Sequence, residues 1–254
     1  MNLFDTPALH LHRDDAPHLA WRHRPAGPGR PTVLYLHGLG SDMAGDKARA
    51  IAAWAEAGDA GMLALDYRGH GQSGGRFEDG GPGLWLRDTL DVLKAAAVAG
   101  PVRLVGSSIG GWVTLLAARA LGQRCDGLVL IAAAPDITTQ MQAGFSPEQR
   151  AALARDGVAE VPTPWGPPFR ISQSMLDDAA AHFVMRQKLM ITAPVRLLHG
   201  QRDGEVPWPL SLAIAEHLEA DDVRVLLVKD GDHRLSRPAD LALLCEALAS
   251  LHPA

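Results

Sequence analysis

Cysteine is nearly absent. Cys125 and Cys245 stand far apart in a chain of 254 residues, which excludes both a disulfide framework and a thiolate metal cluster and leaves two thiols suited to a reducing compartment. Lysine is also scarce: Lys47, Lys94, Lys188 and Lys229 are the whole set, and arginine supplies the other cations. Neither sign of charge dominates. With 24 basic and 29 acidic residues the net charge is −5, so no nucleic-acid partner is expected. No apolar run approaches the ~18 residues that span a membrane. The stretch from Met1 to Pro17 carries Asp5, Asp14 and Asp15 and reads neither as a signal peptide nor as an organellar presequence, so the expected location is cytoplasmic. What is present is ordinary for a globular protein: 47% hydrophobic and 21% charged residues, with 26 glycines and 18 prolines spread through the chain. A single domain over residues 1–254 is expected.

Short apolar runs alternate with longer amphipathic ones, the pattern of βα units around a largely parallel sheet. Strands are expected at Val33–His37, Met62–Asp66, Val102–Gly106, Gly127–Ala133, Val195–His199 and Val223–Val228, with helices at 44–58, Leu84–Ala99, Gly110–Leu121, 209–218 and Pro238–Leu251. Leu9–Arg13 and His18–His23 read as two antiparallel edge strands. Residues 136–192 break the alternation. Rich in Met, Phe and Pro and without a strong strand, they read as an insertion of one or two helices and an irregular arm. Such an insertion would lie over the carboxyl edge of the sheet, where ligands bind in α/β folds.

The strongest chemical signal is Gly106-Ser107-Ser108-Ile109-Gly110, a G-x-S-x-G string between an expected strand and an expected helix. A serine on so sharp a turn adopts a strained backbone, and glycines two residues to either side remove side chains that would collide with neighbouring elements. Ser108 is therefore the candidate nucleophile. Centring the motif on Ser107 would demand glycine where Val105 stands. A serine hydroxyl needs a base, and the base needs an acid to hold its tautomer. Asp203 and His233 follow in the chain order Ser, acid, His, each in the loop after a strand. Asp136, just after an earlier strand, is the rival acid. The intermediate of acyl transfer needs two backbone N–H donors, expected from Ile109 and from Leu39 in the loop His37-Gly38-Leu39-Gly40. Met141, Phe145, Met175, Phe183 and Trp208 are candidate pocket residues. Asp66-Tyr67-Arg68-Gly69-His70-Gly71-Gln72-Ser73 reads as a structural loop beneath the site, with Asp66 and Arg68 paired. His199 ends a buried strand. His182, His217 and His252 read as helix-surface residues, Trp165 as one more large apolar group, and no histidine pair has metal spacing.

Together these strings resemble the α/β-hydrolase superfamily over nearly the whole chain. Gly106-Ser-Ser-Ile-Gly-Gly-Trp112, Leu84-Trp-Leu-Arg-Asp88, Arg196-Leu-Leu-His-Gly200 with Val206-Pro-Trp208, and Asp232-His-Arg234 are similar to the branch holding the mitochondrial palmitoyl-protein thioesterases, which also cleave an acyl-glucuronide, and their bacterial relatives. The resemblance implies an α/β-hydrolase fold, a mostly parallel eight-stranded sheet with helices on both faces and a small cap insertion at 136–192. It also implies a Ser108–Asp203–His233 triad that hydrolyses acyl esters or thioesters with no cofactor, on a small-molecule or acylated substrate. A peptidase or a carbon–carbon bond hydrolase on the same fold, and a non-catalytic binding protein, are the competing readings.

Overall fold

The computed structural model describes residues 3–163 and 166–251; Trp165 and His252 lie outside the described residues. The sheet begins with a hairpin, β1 (Leu9–Arg13) and β2 (Ala16–Arg24), and continues with β3 (Thr32–Leu36) and β4 (Gly61–Leu65). It is completed by β5 (Val102–Ser107), β6 (Cys125–Ile131), β9 (Val195–Gly200) and β10 (Val223–Val228). The order is β1-β2-β4-β3-β5-β6-β9-β10, eight strands, with every pair from β4 to β10 parallel and β2 antiparallel to β4. The central strands carry unbroken apolar runs because both of their faces are covered: all residues of β3, β4 and β5 are buried.

Helices α1 (Asp46–Ala57) and α8 (Pro238–Ala249) cover one face, around Ile51, Ala55, Val105, Val129, Leu244 and Leu248. Helices α2 (Pro82–Ala95) and α3 (Ile109–Leu121) cover the other, around Trp85, Val92, Trp112, Leu115, Leu34 and Leu104. The chain passes from β3 outward to β4 and then returns to place β5 on the other side of β3. The loops leaving β3 and β5 therefore diverge in opposite directions, and a crevice opens at the sheet edge between them.

The segment between β6 and β9 is more ordered than its sequence suggests. It holds α4 (Thr138–Ala143), α5 (Pro147–Asp156), the antiparallel ribbon β7 (Val158–Thr163) and β8 (Gly166–Ser172), and α6 (Gln173–Ala181). The irregular arm is thus corrected to a hairpin. Prolines hide it in the sequence, yet a ribbon with two free edges tolerates them, and the pairing register slips between Val161 and Thr163, where Pro162 stands. Ser146 and Gln149 close a reciprocal cap on α5. Among the described residues no helix is long and apolar enough to cross a membrane.

A second correction concerns the loop after β4. Arg68 pairs with Asp88 of α2, its Nη2 2.7 Å from Oδ1, while Asp66 accepts the N–H groups of Met43 at 2.7 Å and Gln72 at 2.8 Å. Asp66 points back across the loop, so the arginine two residues on reaches a different carboxylate.

Candidate active site

Ser108 stands between β5 and α3 with φ 55° and ψ −123°, a conformation that L side chains rarely adopt. Its neighbours impose it. The Ser108 N–H donates to Ile131 O at 2.8 Å, and Ser108 O accepts from Gly111 at 2.9 Å and Ala134 at 3.0 Å. The two flanking glycines are obligatory. A Cβ on Gly106 would lie 2.1 Å from Thr114 Oγ1, and one on Gly110 2.2 Å from Leu36 O. The G-x-S-x-G spacing is thus a packing requirement of strand, turn and helix.

The serine meets two other candidates. His233 Nε2 lies 3.0 Å from Ser108 Oγ, and His233 Nδ1 lies 2.7 Å from Asp203 Oδ2. Nδ1 faces a carboxylate, so it carries the proton, and Nε2 is left as the acceptor of the serine hydroxyl. Asp203, its side chain fully covered, also accepts on Oδ1 from the N–H groups of Glu205 and Val206, both at 2.8 Å. Burial pushes its carboxyl up, but hydrogen bonds from His199 and His233 and from the Val206 N–H outweigh it and hold the group well below the usual carboxylate range. Gly200 lets the two loops close: a Cβ there would lie 2.3 Å from Gly231 O. The rival acid, Asp136, is used elsewhere. Its two oxygens accept from the N–H groups of Val184 and Met185, each at 2.9 Å, and tie the end of the insertion to β6.

His199 ends a buried strand, as its sequence context implies, and has partners that the sequence does not show. His199 Nε2 lies 3.0 Å from Asp203 Oδ2, the same oxygen that takes His233, and its Nδ1 lies 2.7 Å from Ser211 Oγ. Nε2 faces only acceptors and so bears the proton, and Nδ1 accepts from the Ser211 hydroxyl. The signal available was the His199-Gly-Gln-Arg-Asp203 spacing, which returns the carboxylate over the strand end.

Ser108 and His233 open into a cavity of about 760 Å³. Leu39 and Ile109 line it beside the serine, and among the described residues neither of their N–H groups donates to a protein acceptor. One wall is apolar, built from Ile137, Met141, Val206, Phe169 and Phe77, the last two stacked at 5.3 Å and 13°. The other wall is polar, with Asp46, Lys47, Arg234 and Ser236. Of the pocket candidates only Met141 reaches this space. Phe145 and Met175 are buried in the core beneath the insertion, Phe183 stacks on Trp112, and Trp208 sits at the start of α7 (Pro209–His217). An apolar residue in an insertion must cover either the cavity or the insertion's own underside, and these four do not line the cavity.

Behind the Gly38–Leu39 loop, His37 and His70 are packed 5.2 Å apart against Tyr67 and Trp85, each with a buried Nε2 that has no hydrogen-bond partner among the described residues. Desolvation pushes both imidazoles down to about 4. Among the described residues no cluster of three or more His, Cys, Asp or Glu side chains could hold a metal ion.

A parallel sheet crossed over at β3 and β5, with a serine on the strand-to-helix turn beside a histidine and a carboxylate, defines an α/β-hydrolase. Comparison with known proteins agrees. The family described as serine aminopeptidase, S33, matches residues 27–173, and the chain belongs to this family of hydrolases. It is 35% identical over 237 residues to the mitochondrial palmitoyl-protein thioesterase ABHD10 of Mus musculus, covering 92% of this chain and 78% of that protein. The crystal structure of a hydrolase from Agrobacterium vitis S4 superposes with a TM-score of 0.90 at 38% identity, over 96% of this chain and 97% of that one. The mouse α/β-hydrolase domain-containing protein 10 superposes with a TM-score of 0.87 at 33% identity, over 97% and 98% of the respective chains.

Proposed function

We propose that the protein hydrolyses carboxylic esters or thioesters of acyl groups through a Ser108–His233–Asp203 triad and an acyl-enzyme. The observation that carries this reading is the unbroken hydrogen-bonded chain from Asp203 through His233 to Ser108 Oγ, opening into a cavity with an apolar wall. His233 Nε2 takes the hydroxyl proton as Oγ attacks the carbonyl carbon, and Asp203 stabilises the imidazolium that forms. The N–H groups of Leu39 and Ile109 receive the developing oxyanion. In enzymes of this kind each such donor is worth roughly 3 kcal/mol in the transition state. His233 returns the proton to the leaving oxygen or sulfur, then activates a water that releases the acid. The thioesterase relative supports an acylated substrate, and the apolar wall supports its acyl chain. The free thiols of Cys125 and Cys245 suit a reducing setting.

The test is Ser108→Ala. Turnover of p-nitrophenyl esters and of acyl thioesters should fall by about 10³-fold or more, and labelling by a fluorophosphonate should vanish. Retained labelling or turnover would transfer the nucleophile to another residue.

A further inference from the structure

Lys47 is the one lysine of the chain that is buried; Lys94, Lys188 and Lys229 are exposed. It lies in the first turn of α1, is 9% exposed, and lines the same cavity as Ser108 and His233. Its ammonium has three hydrogens to place. Among the described residues it makes one long hydrogen bond, to Ser236 Oγ at 3.3 Å, and no carboxylate lies within ion-pairing distance of Nζ. Ser236 Oγ in turn donates to Arg234 O, so it presents a lone pair and nothing more. A buried lysine held for structure is normally paired. This one is kept short of partners in the wall of a reaction chamber.

We propose that Lys47 is an acyl-acceptor site, becoming Nε-acylated by activated acyl thioesters bound in the cavity. This inference rests on the hydrolase reading, since it takes the same class of acyl donor. The free amine attacks the thioester carbonyl, the carbon–nitrogen bond forms, the carbon–sulfur bond breaks, and the amine proton leaves with the thiolate. The product is an amide and a thiol, with no oxidant or cofactor consumed. Ser108 hydrolysis competes for the same donor, so the modification accumulates where the acyl-enzyme route is slow.

The charge environment favours the free amine. Burial, helped by the positive charge of Arg234, lowers the Lys47 ammonium to about 8, and Asp232, Asp46 and Asp240 oppose the shift without cancelling it. At pH 8 its free-base fraction exceeds that of an ordinary lysine by roughly 10²-fold. The lower basicity takes back part of that advantage as weaker nucleophilicity. A thioester held in the cavity that Lys47 lines offsets this through effective concentration.

Incubating Ser108→Ala protein at pH 8 with an octanoyl thioester of N-acetylcysteamine, followed by intact-mass measurement and peptide mapping, decides the matter. The expected result is a single octanoyl addition mapping to Lys47, at least tenfold above Lys94, Lys188 or Lys229. It should disappear in Ser108→Ala,Lys47→Arg and in Ser108→Ala,Lys47→Met. No adduct, or adducts spread over the exposed lysines, overturns the proposal. Wild-type thioester hydrolysis measured in parallel reports separately on the hydrolase reading.

Discussion

One oxygen of Asp203 serves two imidazoles, His233 at 2.7 Å and His199 at 3.0 Å. His233 works at the cavity, whereas His199 lies fully buried behind the carboxylate, outside the cavity lining. His199 is thus a positioning residue. His199→Phe keeps a ring of similar size but removes the donor to Asp203 and the acceptor of Ser211. We expect kcat to fall about tenfold with KM nearly unchanged, because no substrate-facing surface is altered. Stability should drop by about 1–3 kcal/mol from the stranded polar partners. Steady-state kinetics and urea unfolding check both. A rise in KM with kcat preserved would assign His199 a different role.

At the scale of elements, the cavity's apolar wall is assembled from parts distant in sequence: the turn at Phe77–Asp79, α4, and the β7–β8 ribbon. The ribbon is fastened to that turn by the Phe77–Phe169 stack, by Arg170 with Glu78 at 3.2 Å, and by Ser172 Oγ donating to Glu78 O at 2.6 Å. If acyl chains lie on this wall, Phe169→Ala with Met141→Ala should erode the preference for octanoyl over acetyl esters. At ~0.8 kcal/mol per buried methylene, losing contact with two or three carbons lowers that ratio of kcat/KM by at least tenfold. An unchanged ratio would move the acyl chain elsewhere. The nucleophile was legible in the sequence because the turn is local: two glycines and a serine over five residues encode its geometry. Asp203 and His233 were legible from chain order. The apolar wall was not, because Met and Phe in an insertion look alike whether they face the cavity or the core. The polar wall is not legible because Lys47 and Arg234 approach one another only in the folded molecule.

At the scale of the whole molecule, two apolar layers sandwich the sheet, and the alternation of runs in the sequence announced them. The buried imidazoles within one layer were less visible, since burial of a polar ring leaves no periodic trace. They make the fold acid-sensitive. His37 and His70 are held down to about 4, so between pH ~6.5 and 4 the unfolded chain binds protons that the native one refuses. Their stabilisation is complete above pH ~6.5 and is lost as pH falls through that window, by at most about 3 kcal/mol per histidine at 1.36 kcal/mol per pH unit. The lowered Asp203 acts in a separate window. Its contribution is present above ~3.9, the unfolded carboxyl value, and is lost only at lower pH. Urea midpoints measured from pH 7 to 4.5 should decline, and His70→Phe should flatten the decline. A pH-independent midpoint above pH 4.5 would contradict this account.

The backbone of Ser108 carries a consequence for engineering the molecule. At φ 55° and ψ −123° it occupies a region where glycine rests without strain, so the residue best suited to that position for thermal tolerance is one that cannot react. Ser108→Gly should melt higher than Ser108→Ala, by an amount equivalent to about 1 kcal/mol, while being equally inert. Selection for heat resistance alone would therefore drift toward an inactive protein, and any programme to harden this scaffold must screen for turnover at every round.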